Sequence, residues 1–317
     1  MENNILNIPK ELILKIFQSI PNLSKLKELN KEYKTLIDDI FKYYDKKFNS
    51  VCENWRNNFD KLINRLIGDN DIDSVLFLYN NYKESHRDIN FYAAYYDNKS
   101  LFNLLPLNDA QQLANGAALG GHIDIVKREI KNGASDYEEI ANNAALGGHE
   151  NIVKYAVEVL KVKNLVGLVH NAVISKNKQL VKYIVSLGMK NFNYIAAVSA
   201  ANGIENILKY AVKNGANNFE EIGELGAAGN HLHIVVFALN NNAENFNEMA
   251  YAATRNGFLN IVEFLDQYSN KSLNYKEIAR IAYEYGYLYI KNYALSNCGL
   301  CVWQTKLFIF NFKYLNF

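Results

Sequence analysis

The sequence predicts an all-α chain made of short tandem repeats, each containing two helices. The main observation is internal repetition: residues 144–155, AALGGHENIVKY, resemble residues 117–127, AALGGHIDIVK. Proline, which breaks helices, occurs only 3 times in 317 residues. Apolar residues make up 49 % of the chain and charged residues 21 %, enough to build a continuous core. These observations favour a helical repeat protein over a disordered chain.

The spacing of the repeated strings gives the length of one unit. Weaker copies of the string follow residues 144–155, and each contains a pair of large aliphatic residues that ends on a Val or Leu. These second members of the pairs are Val126, Val153, Val181, Leu208, Val235 and Val262. The period is therefore about 27 to 28 residues, within the range of known repeat architectures.

A second marker, an Asx residue with a Glu three positions later, keeps the same register. It occurs at Asp136, Asn218, Asn245 and Asn274, and Asn191 holds the Asx place without the Glu. The Asx side chain and the Glu form a capping box, so each unit is expected to open a helix at its Asx. The small residues that follow predict close packing of neighbouring helices. A Gly in the left-handed conformation is expected to end the first helix, and the aliphatic pair is expected to lie on a second helix. Such short helix pairs bury their apolar faces only by stacking on their neighbours.

The unit resembles the ankyrin repeat through Ala-Ala-x-x-Gly-His-x-x-Ile-Val, as in residues 144–153, followed by Gly-Ala at Gly133 and Gly215. The Thr-Pro-Leu-His opening of that family is missing, and the period is several residues shorter than its usual 33. The resemblance implies an ankyrin-like solenoid over residues 68–297, with about eight units and degenerate ends. Short units in an Asn- and Lys-rich chain are similar to ankyrin proteins of large DNA viruses and amoebae.

In that family the target is held by residues that vary between repeats. The positions expected to do so here lie on first helices and turns. They are Asn142, Asn143, Asn202, Glu224 and Arg255.

Residues 1–45 lack the repeat and resemble an F-box, the helical module that docks on a Skp-family adaptor of a cullin ubiquitin ligase. An apolar-Pro-x-Glu opening leads into an aliphatic stripe and then to further Leu residues, with Tyr in place of the usual Trp and Asn in place of the usual Cys. The resemblance assigns adaptor binding to Ile8, Pro9, Leu12, Ile13, Ile16, Phe17, Ile20, Leu23, Leu29, Tyr33 and Leu36. The alternative is an amphipathic cap on the first repeat. Residues 46–67 are expected to form a connecting helix or an N-terminal cap of the repeats.

Composition bears on where the chain acts and what it binds. The formal net charge of +1 provides no strong field for nucleic acid or an anionic membrane. Three cysteines are too few for a disulfide framework, and neither a secretory signal nor an apolar run long enough to cross a membrane is seen. We therefore expect a cytoplasmic protein, in the host cytoplasm if the chain is viral.

Few residues suggest chemistry. His231 and His233 could share a metal but have no third ligand nearby, and Cys298-x-x-Cys301 has no companion pair. The histidines of the repeated Gly-His pair, His122 and His149, are expected to form local hydrogen bonds in the turn. Neither a phosphate-binding loop nor a nucleophile motif appears. We therefore expect no enzyme activity, no cofactor and no metal. Residues 298–317 are aromatic and out of register, so they form either a cap or a tail.

Together the two resemblances imply an adaptor. The N-terminal module would recruit the ubiquitin machinery, and the repeats would hold the protein to be modified. The alternative is an ankyrin-repeat scaffold or host-interaction protein with no link to a ligase.

Overall fold

The computed structural model describes residues 31–55 and 58–298, and of residues 31–37 and Glu84 it describes the backbone alone. Within these ranges the chain is all-α, with nineteen α-helices, one 3₁₀ turn and no strand. The all-α prediction is confirmed. The chain divides after Asn164 into two compact units, which we describe separately.

The first unit contains nine of the α-helices, in two groups. The group before the regular repeats comprises α1 (Lys31–Val51), α2 (Phe59–Gly68), α3 (Ile72–Asn81), the 3₁₀ turn Lys83–Ser85, α4 (His86–Tyr95) and α5 (Lys99–Leu104). Two helix pairs follow: α6 (Ala110–Gly120) with α7 (Ile123–Lys131), and α8 (Tyr137–Leu146) with α9 (Glu150–Glu158).

The second unit consists of five helix pairs. They are α10 (Leu165–Ile174) with α11 (Lys178–Ser186), α12 (Phe192–Ala201) with α13 (Glu205–Lys213), α14 (Phe219–Ala228) with α15 (Leu232–Leu239), α16 (Phe246–Arg255) with α17 (Leu259–Tyr268), and α18 (Tyr275–Glu284) with α19 (Leu288–Asn297). Each pair matches one sequence period, so the helices are repeat-like. In every pair we call the two members the first helix and the second helix.

An aromatic core holds the start of the first unit together. Phe48 and Trp55 are fully buried, and the rings of Tyr44 and Phe77 stack with centroids 3.8 Å apart. Outside this core, the Lys47 ammonium lies 2.7 Å from the carboxylate of Asp71, the residue that caps α3. The C-terminal half of α1 is thus packed against α2 and α3.

The helix pairs follow the predicted cap pattern at most positions. The side chains of Asp136, Asn191 and Asn274 accept from the backbone N–H three residues later, whereas those of Asn218 and Asn245 do not. Each first helix is followed by a residue with positive φ. These residues are Gly121, Gly148, Lys176, Gly203, Asn230, Gly257 and Gly286. The glycine ends are therefore confirmed, and Lys176 and Asn230 adopt the same left-handed conformation without glycine.

Two glycines allow α6 to pack directly on the backbone of α4. A Cβ at Gly116 would lie 1.9 Å from the Phe91 carbonyl oxygen, and one at Gly120 would lie 2.2 Å from the Tyr95 carbonyl oxygen. Real side chains never approach that closely, so both positions require glycine. The small alanines beside them, Ala117 and Ala118, are completely buried, as the predicted close approach of helices requires.

Among the described helices, none combines the length and the apolar character needed to cross a bilayer.

Candidate binding surface

A side-chain amide on each of three first helices links its repeat to the next one. The Gln111 Oε1 accepts from the backbone N–H groups of Ser135 and Asp136, both at 3.0 Å. The Asn193 Oδ1 accepts from Asn217, and the Asn247 Oδ1 accepts from the Asn274 N–H at 2.7 Å. These bonds satisfy backbone donors at or beside the next helix cap. In the predicted capping box the cap N–H would bond its own Glu, but at Asp136 and Asn274 the donor goes to the preceding repeat.

A ring at the start of the second helix makes another link between neighbouring repeats. We call this residue the ring position. The His149 ring lies against Gly121, the His231 ring against Gly203 and the Tyr287 ring against Gly257, and each leaves no room for a Cβ on its glycine. The Nε2 atoms of His149 and His231 also donate to Leu119 and Ala201 carbonyl oxygens, at 2.9 and 3.2 Å. Because a carbonyl only accepts, these Nε2 atoms carry the proton.

The sequence interpretation of the Gly-His pair as a local turn bond was wrong. His122 bonds the Tyr95 carbonyl oxygen 27 residues earlier, and His149 bonds a carbonyl 30 residues earlier. The imidazoles therefore stabilise the stacking of repeats. Only the repetition of the histidine at the sequence period signalled such a role.

One position of the first helix, buried as Asn115 in the first pair, lies at the surface in the later repeats and changes chemistry among them. It lies six residues after the Asx position, and we call it the variable position. It is partly exposed in each of the following: Asn142, His170, Ala197, Glu224, Tyr251 and Arg280. The two residues just before it are buried in the same repeats, as Ile140 with Ala141 and Ile278 with Ala279 illustrate. The framework is thus constant while the adjacent surface offers an amide, an imidazole, a methyl, a carboxylate, a phenol and a guanidinium.

The structure describes all five residues predicted to contact a target. Asn142 and Asn143 are half-buried on α8, and the Asn143 amide donates to the Glu139 carbonyl oxygen at 2.9 Å. Asn202 and Arg255 are exposed at the ends of α12 and α16.

Glu224 is half-buried and also links two repeats. Its carboxylate accepts from the Asn245 amide at 2.6 Å. Burial raises the pKa of Glu224. The hydrogen bond from Asn245 lowers this pKa, and the nearby Glu248 and Glu220 raise it. Asn245 is a cap whose side chain has turned from its own helix towards this carboxylate. Glu224 is thus tied to the framework in a way that Asn202 and Arg255 are not.

A buried carboxylate joins the last two helix pairs. Asp266 on α17 is 1 % exposed and accepts from the hydroxyls of Tyr275, at 2.5 Å, and Tyr293, at 2.7 Å. Burial and the Asp266 bond raise the pKa of Tyr275 to about 12, and the same two causes raise the pKa of Tyr293. This network was not predicted from the sequence, because Tyr275 and Tyr293 lie at aromatic positions of the repeat and only Asp266 departs from the pattern.

The histidine pair set aside as a metal site has other hydrogen-bond partners. His231 and His233 have ring centroids 6.0 Å apart, and each Nε2 lies 3.2 Å from a separate backbone carbonyl, of Ala201 and Gly203. In the part of the chain that the structure describes, no group of three His, Cys, Asp or Glu side chains could hold a metal. Cys298 is half-buried, and Cys301 lies outside the described residues.

The predicted adaptor-binding residues fall almost entirely outside the described ranges. Ile8, Pro9, Leu12, Ile13, Ile16, Phe17, Ile20, Leu23 and Leu29 precede residue 31. Tyr33 and Leu36 lie on α1, which continues through residues 45 and 46 to Val51. The same helix thus contains the end of the F-box-like segment and residues of the aromatic core.

No protein-family model matches this chain, and no curated protein is significantly similar to it in sequence.

Proposed function

We propose that this chain is a protein–protein interaction adaptor in which ankyrin-like repeats hold a target protein. The F-box-like N-terminal segment would bind a Skp-family adaptor, making the chain a substrate-recruiting subunit of a Skp–cullin–F-box ubiquitin ligase. The observation that carries the proposal is the variable position, where the five repeats of the second unit place five different side chains on the same helical framework.

Such an arrangement favours recognition of a protein surface. Helical repeats separate stability, which comes from residues shared by neighbouring units, from binding, which comes from residues that differ. Within the second unit the variable position carries polar, charged and aromatic groups. This is the mixed chemistry found at protein interfaces, where Tyr and Arg carry much of the binding energy. Tyr251 and Arg280 occupy the variable position of adjacent repeats.

The ligase link depends on the sequence resemblance of residues 8–36 and on their place ahead of the repeats. Leu12, Ile16 and Ile20 recur at four-residue intervals and would form one apolar stripe on a helix. A stripe of this kind suits docking against a groove on a partner.

The experiment uses the full chain and a purified Skp-family adaptor immobilised on beads. The wild type should be retained, and the variant carrying Pro9→Ala with Leu12→Asp should not, because a buried carboxylate opposes an apolar interface. Lys15→Ala, in the same segment but off the stripe, serves as the matched control and should bind like the wild type.

Circular dichroism of each variant verifies that its helices are intact. If the wild type is not retained, the ligase assignment fails and the chain is a repeat scaffold without that link. Equal retention of the wild type and the Leu12→Asp variant would also contradict the assigned interface.

A further inference from the structure

In the last helix pair, a glycine follows the first helix, and its counterparts in three earlier repeats are covered. Gly121, Gly203 and Gly257 each contact a ring from the following repeat at a distance that excludes a Cβ. Gly286 occupies the equivalent place after α18 and has the same left-handed backbone, with φ of 81°. Among the described residues, nothing lies within 4 Å of the point where its Cβ would be. As far as the described residues go, the site that a ring occupies elsewhere is open here.

The residues around Gly286 also differ from their counterparts. The ninth residue after the Asx position is small or β-branched and completely buried in six repeats: Ala118, Ala145, Val173, Ala200, Ala227 and Thr254. In the last repeat it is Tyr283, which is 40 % exposed. Tyr285, Leu288 and Tyr289 are each at least half exposed beside it. We call Gly286 and these four exposed side chains the terminal patch. The Tyr289 hydroxyl donates to the Gly257 carbonyl oxygen at 2.6 Å, and the Lys291 ammonium lies 5.8 Å from the Tyr283 ring centroid.

The chain beyond Cys298 has the composition and the length to cover this patch. Residues 299–317 contain no acidic residue and six aromatic ones: Trp303, Phe308, Phe310, Phe312, Tyr314 and Phe317. From Cys298 the chain must return along α19, whose ten residues are about 15 Å long. Extended chain from Cys298 to Tyr314 can span about 50 Å, so the reach is ample.

Residues 298–317 do not continue the repeat pattern, but the repeat spacing still gives the interval between such a glycine and the ring that covers it. In the three covered cases the ring follows its glycine by about 28 to 30 residues. Counting from Gly286, this interval covers residues 314–316, and Tyr314 is the one aromatic residue among them. Tyr287 already shows that a tyrosine ring fits against such a glycine.

We propose that the C-terminal segment 299–317 of this chain covers the terminal patch, with the Tyr314 ring seated on Gly286. The segment takes the place of a following repeat, although it lacks the small residues of the repeat pattern. Tyr283 then contacts aromatic side chains of the segment where earlier repeats bury an alanine. This inference is independent of what the repeats bind.

The test is hydrogen exchange of the full-length chain, read at the backbone amides of Gly286, Tyr287 and Leu288. These amides donate within the turn, to Tyr283, Ala282 and Gly286 carbonyl oxygens. Tyr314→Ala should make them exchange about ten-fold faster, because local opening no longer has to displace a ring. Tyr314→Phe keeps the ring and should behave like the wild type.

Asn316→Ala is the control within the segment and should leave exchange unchanged. Amides of α12 serve as an internal reference, and unchanged rates there show that the variant is folded. The proposal is overturned if Tyr314→Ala leaves the three amides unchanged, or if Asn316→Ala has the same effect. It is also overturned if protection in the wild type depends on protein concentration, since a second copy of the chain would then cover the patch.

Discussion

The start of the first unit and the regular helix pairs fill their interiors with residues of opposite size. Around α1 to α3, large rings fill the interior, with Phe48, Trp55 and Phe77 all buried. In the helix pairs, alanines and glycines bring backbones together, as at Gly147, where a Cβ would lie 2.3 Å from the Leu119 carbonyl oxygen. A core of large rings is most sensitive to losing volume, whereas a core of close backbones is most sensitive to gaining it.

The largest expected effect is the loss of a ring from the aromatic core. Trp55→Ala should lower the free energy of unfolding by about 3–5 kcal/mol, because it removes a buried ring and leaves a cavity. Urea denaturation followed by circular dichroism measures this change. Tyr43→Ala, on the exposed side of α1, is the control and should change stability by less than about 0.5 kcal/mol. Equal losses would show that the ring core is not tightly packed.

The opposite change should destabilise the helix pairs. Gly116→Ala should cost about 1–3 kcal/mol, because the new methyl group meets the Phe91 backbone and α4 must move away from α6. Gly68→Ala is the matched control, since its Cβ would meet the hydroxyl end of the Tyr96 side chain, which can move. Thermal unfolding of the two variants should differ clearly, and an unaffected Gly116→Ala protein would contradict the close packing.

The hydrogen bonds that link neighbouring repeats are expected to contribute less to stability than the buried ring or the close backbone contact. Gln111→Ala should lower stability by about 1 kcal/mol, because two backbone N–H groups lose their protein acceptor near solvent. Gln112→Ala, on the next residue, should have little effect. The measurement is urea denaturation together with exchange rates at the Ser135 and Asp136 amides, which should rise in Gln111→Ala alone. Unchanged rates at those amides would remove the proposed role of Gln111.

The smallest effect concerns the carboxylate network of the second unit and appears only at alkaline pH. The folded-state pKa of Tyr275 is raised to about 12 from its usual 10, so folding favours the protonated phenol. That stabilisation is complete below pH 10 and is lost as the pH rises through 12. The stability difference between the wild type and Tyr275→Phe should therefore shrink over this range, by less than the full shift implies because solvent screens the ring. A difference that stays constant would contradict the Asp266 bond.

Sequence periodicity predicted the helix pairs well, and physical reasons explain where it failed. A burial pattern at a fixed period determines which residues face a neighbour, so the Asx caps, the buried alanines and the left-handed turns could all be predicted. The hydrogen bonds from Gln111 and Asn247 to the next repeat were not predicted, because a polar residue near the start of a helix is usually exposed to solvent. The side-chain partners of Asn218 and Asn245 could not be predicted either. The Asn218 amide donates to the Glu221 carboxylate of the helix it caps, and the Asn245 amide donates to Glu224 in the preceding repeat.

For the predicted target-binding residues, too, the sequence indicated the position on a helix but not the contacts of the side chain. Glu224 occupies the variable position as expected, but its hydrogen bond to Asn245 depends on a contact between repeats that the sequence does not display. Arg255 and Asn202 lie at exposed helix ends, as turn positions next to a glycine would suggest.

The most direct test of the adaptor proposal compares the partners recovered with the full chain and with two triple variants from the same cells. One variant carries Glu224→Ala, Tyr251→Ala and Arg280→Ala at the variable position. The matched control carries Lys182→Ala, Lys209→Ala and Lys213→Ala, all exposed on second helices of the same unit. We expect the first variant to retain the Skp-family adaptor and lose the target, and the control to retain both. Recovery of the same target with the wild type and the first variant would contradict the account.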